Sequence, residues 1–144
     1  MERKSAHRDR WVAFVLLLLI SGIAWGSCGG KGGGGNSSGP AIPPKPLSWD
    51  APTQFADGGA LDPSRDLSSY EIYINETGNF LPSDTPSAVS PAVDASSGAP
   101  VTTYDLAKIA PPLQVGKTYF LVMRTVEKNG GTSGFSDPPI RFVY

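Results

Sequence analysis

Hydrophobic and polar positions alternate most regularly over Thr118–Glu127, TYFLVMRTVE, where Tyr119, Leu121, Met123 and Thr125 share one side and Phe120, Val122, Arg124 and Val126 the other. A period of two in aromatic and β-branched residues is the signature of a strand. Both sides are largely apolar, so the stretch is expected to be a central strand rather than an edge. Tyr70–Asn75, YEIYIN, alternates in the same way, with Tyr70, Ile72 and Ile74 on one side and Glu71, Tyr73 and Asn75 on the other. Shorter apolar runs predict further strands at Leu47-Ser48-Trp49, Val101–Leu106 and Ile140–Tyr144, and an irregular edge strand within the Ser- and Pro-rich Phe80–Pro100. A first strand would have to come from the proline-rich Ile42–Pro46, making seven. Asp57-Gly58-Gly59, Asp62-Pro63, Glu76-Thr77-Gly78-Asn79 and Asn129-Gly130-Gly131 are turn signals between these runs. With 17 Gly and 14 Pro spread along the chain, uninterrupted helical periodicity is poorly supported and an all-β fold is expected.

The first 27 residues follow another rule. MERKSAHRDR is charged with a basic excess and leads into the apolar run from Trp11 to about Ala24. Such a pair reads as a secretory signal peptide, because the run falls short of the ~20 apolar residues needed to span a bilayer. Gly26 and Ser27 then precede Cys28, the only cysteine of the chain. This resembles the lipobox of bacterial lipoproteins, in which the cysteine thiol takes a diacylglyceryl group and becomes the mature N-terminus. Trp25 stands where that pattern usually has a Leu-like residue, and Ala24-Trp25-Gly26 is the alternative, a site for an ordinary signal peptidase. The resemblance implies a lipid anchor at Cys28, and Gly30 two residues later implies the outer membrane as destination. Residues 28–45 then form a tether, Gly-rich over Gly29–Gly39 and Pro-rich to Lys45, with a reach of roughly 20–25 Å. A domain of about 100 residues, 46–144, remains.

Composition narrows the chemistry. The 144 residues carry 12 basic and 13 acidic side chains, and 1–27 holds four and two of them, leaving the remainder at eight against eleven. That is no electrostatic footprint for nucleic acid. Cys28 and the one histidine, His7, both precede the domain, so histidine-assisted nucleophiles, cysteine catalysis and the usual zinc sites have no residues to build on. No cofactor is implied. Asp57, Asp62 and Asp66 share one loop and invite comparison with a calcium cradle, but their spacing matches no EF-hand and Asp-Gly and Asp-Pro are ordinary turn chemistry. Glu71 and Glu76 lie five apart on strand geometry and point to opposite faces, unlike a glycosidase pair.

As a set, Trp49 with Pro52, Tyr70-x-Ile72-x-Ile74, Leu113-x-x-Gly116-x-x-Tyr119, and Gly131, Ser133 and Ser136 resemble a fibronectin type III domain. The resemblance implies a seven-stranded, immunoglobulin-like antiparallel β-sandwich with Trp49 in the core. It further implies that Tyr119 is a tyrosine corner whose hydroxyl bonds nearby backbone. It departs from the family in Val115, where a proline is usual, and in an insertion at Lys108–Pro112. Sandwiches of this kind usually bind rather than catalyse. The candidate surface is Tyr73, Phe120, Val122 and Arg124, expected side by side on the face turned away from Tyr119, Leu121 and Met123. Tyr and Arg dominate binding hot spots. The expected partner is an envelope or extracellular protein, with polysaccharide stacked on Tyr73 and Phe120 as the alternative.

Overall fold

The computed structural model describes residues 43–144. The expected leader, Cys28 and the expected tether up to Ile42 therefore lie outside the described residues. Six strands form two antiparallel sheets that pack together as an all-β sandwich. β1 (Pro46–Ser48) pairs with β4 (Thr103–Asp105), and the larger sheet has the order β3-β2-β5-β6, with β2 Leu67–Asn75, β3 Ala88–Pro91, β5 Thr118–Glu127 and β6 Ile140–Val143. β5 is interior to its sheet, between β2 and β6, as its two apolar sides require.

Among the described residues the strands number six, against the expected seven. Of the described part of the expected Ile42–Pro46 strand, residues 43–46, only Pro46 is in a strand, at the start of β1. Pro43 and Pro44 have no N–H to give a ladder. The one donor there, Lys45 N, goes to the Asp105 carboxylate at 3.0 Å, while Lys45 O accepts from Leu106 N. The fifth expected strand is also shorter than Val101–Leu106. The Asp105 side chain accepts from Ala107 N and so caps a 3₁₀ turn at Leu106–Lys108, which ends β4 early.

The register of β2 on β5 sorts the alternation seen in the sequence. Tyr70, Ile72 and Ile74 lie opposite Thr125, Met123 and Leu121 on the core face, and Glu71, Tyr73 and Asn75 lie opposite Arg124, Val122 and Phe120 on the other. The core joins Trp49 and Leu47 to Tyr70, Ile72, Leu121 and Met123, all buried. Trp49 meets Tyr70 edge-on, with ring centroids 5.1 Å apart. Burial raises the Tyr70 hydroxyl pKa, and the adjacent Trp49 indole N–H pulls partly the other way. At the base of β5, Tyr119 Oη accepts from Gln114 N at 3.0 Å and pins the preceding turn.

The return from β5 to β6 is irregular for a readable reason. Met123 and Thr125 are two residues apart on β5, but the residues that face them, Ser136 and Ser133, are three apart. Each serine N–H donates to its partner's carbonyl, and each Oγ accepts from the same partner's N–H: Met123 N to Ser136 Oγ at 3.0 Å, Thr125 N to Ser133 Oγ at 2.9 Å. The serine hydroxyls stand in for strand carbonyls. The extra residue is a bulge, and it sends Phe135 over the outer face of the sheet.

The two ends of the sandwich differ. At one lie Lys128 and the short helix α1 (Pro63–Asp66), linked by Lys128 N to Asp66 O and Lys128 Nζ to Ser64 O. At the other, Gly116 N donates to Tyr144 O, Tyr144 N to Lys117 O, and the Tyr144 hydroxyl to Pro43 O, so the chain arrives from its N-terminal side at this end.

Candidate functional site

The candidate residues all lie on the outer face of the four-stranded sheet, but they do not form an open patch. Tyr73 and Val122 are each 1% exposed, and Phe120 and Arg124 are half-buried. The expectation of an exposed aromatic–aliphatic surface is corrected on this point. Alternation on β2 and β5 assigns the face, and the connections that cross the face set its exposure.

Two segments provide the cover. Phe135 from the serine-tied bulge packs edge-on against Tyr73, centroids 4.9 Å apart, and Phe80 tilts against Phe135 at 6.2 Å. The 76–87 connection lies over Phe120: a Cβ on Gly78, whose φ is +79°, would come within 3.2 Å of that ring. Glycine is required there both for the left-handed backbone and for the close approach. Asn75 builds this turn, its Oδ1 accepting from Thr77 N at 3.0 Å and Gly78 N at 2.7 Å, its Nδ2 donating to Asn79 O at 2.6 Å.

Under that cover sits a compact polar cluster. Glu71 Oε2 accepts from the Tyr73 hydroxyl at 2.6 Å and from Arg124 Nε at 2.5 Å. Arg124 Nη1 reaches Pro82 O at 3.3 Å, and the guanidinium lies 5.2 Å from the Tyr73 ring centroid and 5.6 Å from that of Phe135. The ion-paired side chains of Arg124 and Glu71 are 16% and 18% exposed. Such a pair costs more to break than a surface bridge, because removing either partner strands the other in a partly dry site. Burial, and the bond it donates to Glu71, hold the Tyr73 hydroxyl well above its ordinary range, with Arg124 opposing. A phenol kept protonated is a donor and not a base. The cluster therefore clamps the 76–87 connection to the sheet, and the hot-spot residue types are spent on the protein's own loops.

The carboxylates singled out in the sequence serve local structure. Asp62 caps α1, accepting from Ser64 N at 2.9 Å and Ser64 Oγ at 2.7 Å, which lowers its pKa. Asp66 returns the favour to Asp62 N at 2.8 Å, and Asp57 accepts from Gly59 N at 3.0 Å. Glu76 pairs with Lys117 at 2.9 Å, apart from the Glu71 cluster. Among the described residues, no three His, Cys, Asp or Glu gather to hold a metal ion.

Sequence reasoning missed Phe80 and Phe135, whose only signal is an aromatic within otherwise polar connections. It also missed where apolar surface is exposed: Leu81 is 61% exposed and Val89 55%. Val89 faces Glu71 across β3–β2, and Leu81 precedes the carbonyl of Pro82 that holds Arg124, so each adjoins one member of the ion pair.

Fold and site together define an all-β sandwich whose large sheet carries a loop-covered outer face. Comparisons with known protein families, with curated proteins and with solved structures give no match for the chain.

Proposed function

We propose that the chain is an exported lipoprotein, anchored through Cys28, that displays one fibronectin type III-like module for protein–protein binding or assembly at the cell envelope. The leader and the Gly- and Pro-rich stretch after Cys28 support the export and display parts of this reading. The pairing of a β3-β2-β5-β6 sheet with a smaller β1-β4 sheet, and the Tyr119 hydroxyl bonded five residues back, support the module. The role is binding, not catalysis.

One observation carries the binding site: Leu81 and Val89 stand exposed, Val89 opposite Glu71 and Leu81 next to the Pro82 carbonyl that Arg124 holds. Apolar side chains held beside an ion-paired Arg suit a protein partner, since little side-chain freedom is lost on contact. Polysaccharide stacking loses its platform, because Tyr73 lies beneath Phe135.

The test is a pull-down from envelope extract with the lipid-free chain from Cys28 onward, beside a Leu81→Ser/Val89→Thr variant. Both positions are exposed, so the variant keeps the fold, checked by circular dichroism. A protein recovered by the parent and lost with the variant supports the site. Equal recovery by both moves the site elsewhere, and retention on insoluble polysaccharide without any protein partner refutes the reading.

A further inference from the structure

Charge is divided unevenly over residues 43–144. The end at which Pro43 arrives carries Lys45, Lys108, Lys117 and Arg141 against only Glu76 and Asp105. Lys45 and Lys108 flank β4's 3₁₀ turn, Lys117 precedes β5, and Arg141 pairs with Phe120 near its start. The rest of the described chain holds three basic residues and nine acidic ones. A domain that is acidic as a whole is thus basic at one end.

The same end presents apolar side chains. Val115 is 71% exposed and Val143 52%, on either side of the hydrogen bond from Gly116 N to Tyr144 O. Val115 stands in the turn closed by Lys117 N to Gln114 O, next to a lysine whose ammonium pairs with Glu76. Apolar tips rimmed by basic side chains fit the boundary of a lipid bilayer with anionic head groups.

We infer that this end of the sandwich rests on the surface of the membrane in which the chain is anchored. The inference builds on the lipoprotein reading. Fourteen residues separate Cys28 from Pro43. A flexible connection of that length has a root-mean-square reach of roughly 20 Å, where an effective concentration on the order of millimolar makes a weak surface contact sufficient. Docking by this end turns the acidic end, with α1 and the Asp57 loop, away from the surface and leaves the Leu81–Val89 rim reachable from the side.

The experiment uses the chain from Cys28 onward, coupled through the Cys28 thiol to a maleimide lipid in vesicles of phosphatidylcholine with phosphatidylglycerol. Trp49 is buried and is the only tryptophan after Cys28. A Val115→Trp variant therefore reports this end, and an Ala95→Trp variant the opposite end. With brominated lipid, Val115→Trp is expected to lose roughly half its added emission and Ala95→Trp almost none. Adding Lys108→Glu and Lys117→Glu, or replacing the anionic lipid with phosphatidylcholine alone, is expected to reverse most of that loss. Equal quenching of the two reporters, or quenching indifferent to lipid charge, overturns the inference. Chemical coupling makes the result independent of natural lipidation. The mass of the Cys28 peptide from cells tests that separately: an unmodified thiol defeats the lipoprotein reading and leaves the vesicle result standing.

Discussion

Ser136 and Ser133 offer a direct test of how the β5–β6 return is held. Ser136→Ala removes the acceptor of Met123 N, and Ser133→Ala that of Thr125 N. Met123 and Thr125 are 0% exposed, and the serines themselves 4% and 6%. Each change therefore leaves a buried amide without a partner, while the lost volume is a single oxygen. The cost of an unsatisfied buried N–H is about 1–3 kcal/mol. Ser136→Ala is expected near the middle of that range, about 2 kcal/mol. Ser133→Ala should cost slightly more, since the Ser133 hydroxyl also donates to Gly134 O at 2.8 Å. For a domain of this size, a loss of 2 kcal/mol lowers Tm by roughly 8–16 °C. Guanidinium denaturation followed by circular dichroism gives the free energies, and amide exchange should show faster exchange at Met123 and Thr125 first. Ser68→Ala, at an exposed position, is the control and should stay within about 0.5 kcal/mol of the parent. If both buried variants also stay within that margin, with protection at the two amides unchanged, the serines do not act as strand carbonyls and the account of the bulge fails. Loss of the bulge should also loosen Phe135, so Ser136→Ala is expected to increase solvent access to Tyr73.

Thr125 gives the opposite sign. Its Oγ1 is buried without a hydrogen-bond partner among the described residues, so Thr125→Val should stabilise the domain by about 1 kcal/mol, and destabilisation by that much would show that the hydroxyl is satisfied. The tyrosines predict alkaline sensitivity. The Tyr70, Tyr73 and Tyr144 hydroxyls are all pushed above the ordinary value of 10.0, chiefly by burial. A group whose pKa is higher in the folded state favours folding fully below its unfolded value and loses that contribution as pH rises past it. Stability is therefore expected to fall from about pH 10 upward, with these three ionising later in the fold than in the unfolded chain. Absorbance at 295 nm beside circular dichroism checks this, and five tyrosines titrating near pH 10 in an intact fold would contradict it.

Much of the fold is legible in residues that act locally. Alternation over Thr118–Glu127 and Tyr70–Asn75 determines two neighbouring strands and the side each residue takes, because the period of a strand is set by its backbone and needs no partner. Asp62-Pro63 and Asn75 build their turns from their own side chains. Trp49 is buried because a large apolar ring is favoured anywhere out of water, whichever sheet supplies the pocket.

Whether a face is covered is another matter. Tyr73 and Val122 sit on the side that alternation assigns, yet they are buried because Phe135 arrives on a bulge whose geometry depends on Ser133 and Ser136 meeting Thr125 and Met123 across the sheet. Gly78 approaches Phe120 on the same 76–87 connection whose Pro82 carbonyl Arg124 holds. The gathering of Lys45, Lys108, Lys117 and Arg141 at one end comes from strand order and direction, which place residues nearly a hundred positions apart together. The sequence by itself determined β2 and β5 and the side each of their residues takes. The tertiary structure alone decided exposure and charge placement, because both arise from contacts between segments that no local pattern pairs.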